Sequence, residues 1–168
     1  MPSRTDKIYL VGFMGSGKST LARALGRRLG WRVVDLDAAI EAREGQAVSD
    51  IFAKQGEAYF RRVEREVLLS LQPERNLIIA TGGDTFVQPL NRADIKADGL
   101  SIWLDAPFSR ILARVPSDGR RPLAANREAF AALFDQRRSA YAQADIHLET
   151  HSHPVDALLE RLLHRLGW

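Results

Sequence analysis

The sequence of 168 residues contains no cysteine. Disulfide bonds and thiol chemistry are therefore excluded, and the composition is compatible with the cytoplasm, where thiols stay reduced. Long hydrophobic runs are also missing. The apolar stretch near the N-terminus is much shorter than the roughly 20 residues of a membrane-spanning helix and carries no cleavage-site pattern. We expect a cytoplasmic protein without membrane contacts.

Blocks of like charge are absent as well. The 24 basic and 21 acidic side chains leave a net charge of +3, with no charged tail that would bind nucleic acid. This modest excess suits anionic small molecules, and we expect no nucleic-acid partner. The histidines show no metal-ligand spacing backed by carboxylates, which predicts surface or loop positions for His147, His151, His153 and His164. The length and the lack of repeats predict a single domain over residues 1–168.

A phosphate-binding loop pattern lies near the start of the chain. Residues 12–20 read G-F-M-G-S-G-K-S-T, between an apolar run that predicts a strand and a pattern that predicts a helix. Backbone N–H groups of such a loop and the positive end of the helix point at one spot that suits phosphate oxygens. Lys18 would reach the β- and γ-phosphates, and Ser19 would ligate Mg²⁺. A glycine-rich turn is the alternative, but the agreement of all these features favours a nucleoside triphosphate site.

Apolar segments alternate with helical patterns along the chain. Strands are predicted at 7–11, 32–35, 77–81, 100–104 and 146–149, and helices at 19–29, 38–43, 48–54, 57–71, 107–115, 127–143 and 154–166. This alternation predicts an α/β fold with a parallel sheet and helices on both of its faces. Ligands of such folds bind beyond the carboxyl ends of the strands.

Acidic residues and glycines follow the second and third predicted strands at that edge. Of Asp35 and Asp37, one would balance charge near Mg²⁺, and the other would hold or deprotonate a hydroxyl of the acceptor. A helix N-cap before residue 38 is the alternative, most directly for Asp37. Gly82 and Gly83 indicate either close approach of the backbone to a ligand or a tight turn between strand and helix.

Three pairs of arginines could recognise an anionic acceptor. A guanidinium binds carboxylate or phosphate in a bidentate manner. Two separated arginines would clamp the acceptor while another reaches the nucleotide. Simple solvation of the surface is the alternative for about half of Arg61, Arg62, Arg120, Arg121, Arg137 and Arg138.

Taken in order, the motifs of the chain closely resemble those of shikimate kinases. They are G-x-x-G-S-G-K-S-T at 12–20, D-L-D at 35–37, G-E-x-x-F-R-R-x-E at 56–64, G-G at 82–83, R-P-L at 121–123 and R-x-x-x-Y at 137–141. The resemblance implies an enzyme that uses MgATP to phosphorylate the 3-hydroxyl of shikimate, on the way to chorismate and the aromatic amino acids. It also implies a P-loop fold like that of nucleoside monophosphate kinases, a three-layer sandwich with a five-stranded parallel sheet, and a monomer.

The resemblance further implies roles for individual residues. The nucleotide would be bound by Gly15, Ser16, Gly17, Lys18, Ser19, Thr20 and Arg121, the last reaching in from a lid at 117–125. Ser19 would ligate Mg²⁺, with Asp35 in the outer shell. Shikimate would lie among the helices of residues 37–64 and be bound by Asp37, Arg61, Gly83 and Arg137, with the arginines on its carboxylate. Lys18, Asp37 and Arg121 would be catalytic, with Asp37 as proton acceptor. Glu64 would orient Arg61 or the substrate, and a loop around 150–154 would border adenine.

The chain departs from the family pattern at two places. Ser139 and Ala140 replace a usual Pro-Leu pair, a change that a helix or turn tolerates. Asp84 replaces the third glycine after the third strand. We expect Asp84 to adopt a left-handed backbone, which Asp tolerates better than most residues, and to repel the substrate carboxylate unless its side chain turns to solvent or to Arg61. Our hypothesis is that Asp84 weakens shikimate binding or turnover without destroying nucleotide binding.

Two other functions fit parts of the same pattern. A kinase for another hydroxy acid, such as gluconate, would keep the phosphate loop and lid without needing Asp37, Arg61 and Arg137 together. A nucleotide-binding pseudokinase would bind ATP tightly without turnover, with Asp84 as the reason.

Overall fold

The computed structural model describes residues 4–114, 127–150 and 154–168. The strands are β1 (Lys7–Val11), β2 (Arg32–Asp35), β3 (Leu77–Ala80), β4 (Leu100–Asp105) and β5 (Ile146–Glu149). The helices are α1 (Lys18–Leu29), α2 (Leu36–Glu44), α3 (Val48–Gln55), α4 (Glu57–Ser70), α5 (Pro89–Asp98), α6 (Phe108–Arg114), α7 (Arg127–Tyr141) and α8 (Val155–Leu166). None of these helices is long and apolar enough to cross a membrane.

The five strands form one sheet in the order β2-β3-β1-β4-β5, and every neighbouring pair is parallel. Ala80 of β3 lies opposite both Asp35 of β2 and Leu10 of β1, so these strands end at one edge of the sheet. The predicted fold, a five-stranded parallel sheet with helices on both faces, is therefore confirmed.

Two apolar clusters sandwich the sheet. Successive residues of a strand point to opposite faces, and Tyr9 of β1 faces one cluster while Ile8 and Leu10 face the other. The first cluster contains aromatic side chains and residues of α2 to α7, and the second combines aliphatic residues of the strands with those of α1 and α8. Burial on both faces explains why β1 and β3 read as continuous apolar runs.

Helix α5 is the α-helix that the sequence analysis missed in the described part of the chain, and a short 3₁₀ helix at Arg4–Asp6 was not predicted either. Only Asn91 and Ile95 are buried in α5, so its apolar periodicity is weak. Its boundaries nevertheless carry a recognisable signal, because Pro89 begins the helix and Gly99 ends it. Other helix ends agree with the prediction to within two residues, the usual uncertainty at a frayed end.

A network of charged side chains lies where β1 begins, at the edge of the sheet opposite the carboxyl ends of the strands. The fully buried Lys7 places Nζ 2.7 Å from Asp98 Oδ2, and Tyr9 donates its hydroxyl to the same carboxylate at 2.5 Å. Arg75 donates to Asp98 at 2.8 Å and also pairs with Asp6. Burial opposes ionisation of Asp98, but these hydrogen bonds outweigh it and lower the pKa of its carboxyl.

Candidate active site

Glycines shape the phosphate loop between β1 and α1. Gly12, Gly15 and Gly17 have φ angles of 146°, 76° and 100°, in the region that favours glycine. A Cβ on Gly12 would also lie 2.7 Å from the carbonyl oxygen of Leu104, a backbone atom that cannot rotate away. The backbone can therefore wrap at this point only because these positions lack a side chain.

The polar side chains of the loop suit an anionic ligand. Helix α1 begins at Lys18 without a side-chain cap and with no acidic residue in its first turn, so its positive end faces the loop. Lys18 Nζ folds over the loop and donates to the carbonyls of Gly12 and Phe13 at 2.7 and 2.9 Å. Ser16 Oγ is buried and has no hydrogen-bond partner in the described part of the chain. These features fit the phosphates of a nucleotide.

Asp35 links the end of the phosphate-loop segment to helix α2 through two hydrogen bonds. Its Oδ2 accepts a hydrogen bond from Ser19 Oγ at 2.8 Å, and its Oδ1 accepts one from the Ala38 amide at 3.1 Å. Asp35, not Asp37, is therefore the N-cap of α2, because the helix begins at Leu36, two residues earlier than predicted.

The hydroxyl of Ser19 and the carboxylate of Asp35 are oxygen ligands of the kind that Mg²⁺ prefers. Residues 4–114, 127–150 and 154–168 contain no group of three or more His, Cys, Asp or Glu that could hold a metal ion. A site with one or two protein oxygens, completed by phosphates and water, is the form in which Mg²⁺ binds nucleotide enzymes. The residues present thus fit Mg²⁺.

Asp37 lies in the first turn of α2 and faces Gly82, two residues after the end of β3. A Cβ built on Gly82 would come within 2.9 Å of Asp37 Oδ1 and 3.3 Å of Thr85 Oγ1. The Thr85 hydroxyl accepts a hydrogen bond from the Gly82 amide and donates one to the buried Glu64, both at 3.0 Å. The glycine at 82 therefore makes room for a protein carboxylate. Thr85, which the sequence analysis did not single out, fixes the turn and carries no motif by which it could have been found.

Gly83 is the point at which the phosphate loop meets the arginines. A Cβ at this position would lie 3.4 Å from both the backbone nitrogen of Met14 and Nη1 of Arg137. The buried Tyr141 donates its hydroxyl to the Gly83 carbonyl in a very short hydrogen bond. Burial raises the pKa of Tyr141, so the hydroxyl stays protonated and remains a donor. The segment forms the tight turn that was one of the two readings, and it also lies close to the phosphate loop and to Arg137.

Arg61 and Arg137 come together from helices α4 and α7. Nη1 of Arg61 contacts Glu64 Oε1 at 3.2 Å, one turn along α4, in agreement with the expectation that Glu64 orients Arg61. Burial raises the pKa of Glu64, although Arg61 and the hydrogen bond from Thr85 offset part of this effect. The Arg137 guanidinium lies 5.7 Å from the ring centroid of Phe13.

Asp84 bridges the two arginines. Its carboxylate forms a very short ion pair with Arg61 Nη2 and a second ion pair with Arg137 Nη2 at 3.2 Å, and it accepts a hydrogen bond from Gln88 Nε2 at 3.2 Å. The expected left-handed backbone at Asp84 is wrong, because Asn76 is the only non-glycine residue with positive φ among the described residues. The side chain turns to Arg61, as one alternative foresaw, and also to Arg137.

Other arginines and histidines serve local structure. Arg62 stacks over Tyr59, and Arg138 forms a bidentate pair with Asp105 at 2.7 and 3.1 Å. His147 contacts the same carboxylate at 2.8 Å, while His164 is exposed. Helix α7 runs without a break through Ser139 and Ala140, where a proline would interrupt it. Outside the described residues lie the predicted lid, most of the adenine loop, and Arg120, Arg121, His151 and His153.

Comparisons with known proteins agree with this arrangement. A family model described as shikimate kinase matches residues 14–167. A shikimate kinase of Persephonella marina is 41% identical over 160 residues, covering 95% of this chain and 98% of the relative. One of Geobacter sulfurreducens is 39% identical over 165 residues, covering 96% and 91%.

Solved structures give the same result. The crystal structure of shikimate kinase from Aquifex aeolicus superposes with a TM-score of 0.87 at 36% identity, covering 96% of both chains. Shikimate kinase from Acinetobacter baumannii in complex with shikimate superposes with a TM-score of 0.90 at 34% identity, covering 97% of this chain and 94% of that one. These matches agree with the glycine-rich phosphate loop, the acidic pair Asp35 and Asp37, and the arginine pair Arg61 and Arg137. The chain therefore belongs to the shikimate kinase family.

Proposed function

We propose that this protein transfers the γ-phosphoryl group of ATP to the 3-hydroxyl of shikimate, and so acts in the biosynthesis of aromatic amino acids. The observation that carries this proposal is the position of the Gly82–Gly83 turn. Gly82 faces the Asp37 carboxylate, and Gly83 touches both the phosphate loop at Met14 and the Arg137 guanidinium. This turn would therefore border both the nucleotide site and the site for a hydroxylated carboxylic acid. The shikimate complex of the Acinetobacter relative supports the choice of acceptor.

The donor side would hold the triphosphate. Its binding residues are the loop and first-turn positions Gly15, Ser16, Gly17, Lys18, Ser19 and Thr20. Ser19 and, through its hydrogen bond, Asp35 would hold Mg²⁺. When bound, this ion neutralises charge on the phosphates. Lys18 would leave the carbonyls of Gly12 and Phe13 for phosphate oxygens, exchanging neutral acceptors for charged ones.

The acceptor side would hold shikimate by its two ends. Arg61 and Arg137 would bind the carboxylate, Gly83 would contact the substrate through its backbone, and Asp37 would bind ring hydroxyls. As the 3-hydroxyl oxygen bonds to the γ-phosphorus, the bond from that phosphorus to the bridging oxygen of ADP breaks, and Asp37 accepts the hydroxyl proton. Phosphoryl transfer depends mainly on positioning and charge neutralisation, which is what this set of residues supplies.

The remaining features of the proposal rest on the sequence alone. Arg121 would reach the nucleotide from a lid that excludes water. The protein would act as a single-domain monomer in the cytoplasm, without nucleic-acid partners.

Release of ADP from MgATP, with and without shikimate, tests the function. We expect turnover that requires shikimate and is not supported by gluconate. Asp37→Asn keeps the size of the side chain but removes the proton acceptor, so we expect kcat to fall by at least about a hundredfold with ATP affinity unchanged. Asp50→Asn, the same change on an exposed position of α3, is the matched control.

Two outcomes would contradict the proposal. Tight ATP binding without turnover on either acid would indicate a pseudokinase. Faster turnover with gluconate than with shikimate would indicate a kinase for a different hydroxy acid.

A further inference from the structure

The arginine pair of the acceptor site already carries an internal carboxylate. Asp84 contacts Nη2 of both Arg61 and Arg137, and its side chain is only 15% exposed. The arginines are also largely buried, at 21% and 12% exposure. This contact is therefore not a surface ion pair that solvent screens away.

The two guanidiniums have protein carboxylates as partners before any acceptor binds. Asp84 contacts both, the buried Glu64 contacts Arg61 at 3.2 Å, and the exposed Glu57 lies 3.6 Å from Arg61 Nε. Of these three carboxylates, only Asp84 touches both arginines. A chain with glycine at position 84 would lack it, and a substrate carboxylate could take its place.

We propose that Asp84 competes with the carboxylate of shikimate for Arg61 and Arg137, and thereby sets both the affinity and the charge preference of the acceptor site. This inference rests on the proposed function. Shikimate must either displace Asp84 from the guanidiniums or share them with it. Gln88, the N-cap residue of α5, already donates a hydrogen bond to Asp84 Oδ2 at 3.2 Å. This hydrogen bond can persist when the Asp84 carboxylate moves away from the arginines.

The size of the effect follows from the charges. Two carboxylates about 5 Å apart, at an effective dielectric constant of about 20, repel by the equivalent of more than a hundredfold in affinity. Retreat of Asp84 toward Gln88 increases the separation and relieves much of this repulsion, so we expect about a tenfold penalty on shikimate. An acceptor without charge at the same position escapes the penalty.

Binding of two acceptors to three forms of the protein tests the inference. Calorimetry would give the Kd of shikimate and of its neutral carboxamide for the wild-type chain, Asp84→Asn and Asp84→Gly. KM for shikimate would be measured in parallel by ADP release. Asp84→Asn keeps the shape of the side chain. Asp84→Gly removes the side chain altogether, so a new contact of the asparagine amide cannot explain a change that both variants share. Asp94→Asn is the matched control, because Asp94 pairs with Arg65 at 2.8 Å away from the site.

We expect both Asp84 variants to bind shikimate about tenfold more tightly than wild type, with KM lowered in parallel. The carboxamide should change by less than twofold, and Asp94→Asn should leave both ligands unchanged. The difference between the two ligands is the decisive readout, since a merely structural role of Asp84 would affect both alike.

Three results would overturn the inference. Unchanged or weaker shikimate binding in both variants would mean that Asp84 does not compete but orients the arginines. Equal tightening for both ligands would mean that charge is not the cause. If no form binds or phosphorylates shikimate, the proposed function fails and the inference fails with it, whereas the first two results leave the function intact.

Discussion

Replacing Gly82 with alanine should displace the Asp37 carboxylate, which we propose is catalytic, while the stability of the fold changes little. The added Cβ would lie 2.9 Å from Asp37 Oδ1. An ordinary contact needs about 3.4 Å or more, so the oxygen must retreat by about 0.5 Å. The backbone itself accepts alanine, because Gly82 is not among the glycines with positive φ. The strain therefore falls mainly on the end of the Asp37 side chain, with a milder contact at Thr85 Oγ1, 3.3 Å from the added Cβ.

The expected result is a large kinetic effect with a small thermodynamic one. A misplacement of about 1 Å can cost about a hundredfold in rate, so about 0.5 Å corresponds to about a tenfold loss of kcat for shikimate. The free energy of unfolding should change by less than about 1 kcal/mol, because alanine also restricts the unfolded chain. Steady-state ADP release and urea unfolding, measured on the same preparation, give the two quantities.

Gly99→Ala provides the matched control. There a Cβ would lie 2.7 Å from the carbonyl oxygen of Lys7, at the start of the central strand. A backbone atom cannot turn away, and we expect a loss of about 1–3 kcal/mol in stability with kcat per folded molecule unchanged. Wild-type kcat in Gly82→Ala would refute the reasoning. So would a stability loss equal to that of Gly99→Ala, since it would show that the backbone takes up the strain.

Two further predictions concern groups that hold the fold and the site together. The pKa of Asp98 is lowered in the folded state, so its stabilising contribution is present above the unfolded pKa of about 3.9 and lost as pH falls through the folded value. Asp98→Asn should cost about 2 kcal/mol in urea unfolding at pH 7, and a difference that does not shrink toward pH 2 would contradict this. Tyr141→Phe removes the donor to the Gly83 carbonyl, so we expect a loss of about 1 kcal/mol in stability and a higher KM for shikimate. Wild-type values of both would show that this hydrogen bond does not hold the turn.

Periodicity and glycine placement were enough to predict the sheet and the edge that carries the site. Buried parallel strands have unbroken apolar runs, and the bounds of β1, β2 and β5 agree with prediction at both ends. Helix α5 was missed because it covers the first cluster with little more than Ile95. Capping of α2 by Asp37 was only an alternative from sequence, and the cap is Asp35 because the strand passes directly into the helix there, without an intervening loop.

Side-chain directions across long sequence separations could not be predicted. Arg61, Asp84 and Arg137 lie on different elements, and their convergence depends on how α4 and α7 pack against the sheet. The charge estimate from sequence treated Asp84 first as a source of repulsion toward a ligand and gave a turn toward Arg61 as an alternative, without Arg137. The contacts show that its first partners are the protein's own guanidiniums. The roles of the site residues in catalysis stay predictions until they are measured.

The shallow burial of helices α2 and α3 bears on how the acceptor side is ordered. Leu36 and Ile40 are the buried residues of α2, and Ile51 is the one in α3, whereas α4 buries five residues. Segments with few buried apolar groups open at low free-energy cost. Asp37 is thus carried by a helix with two buried apolar residues, held also by the Asp35 cap and by contacts of Arg43 and Glu44 with Glu66 and Tyr59 of α4. Any opening of this helix would move Asp37 away from Gly82, so the stability of α2 is itself part of the free energy of acceptor binding.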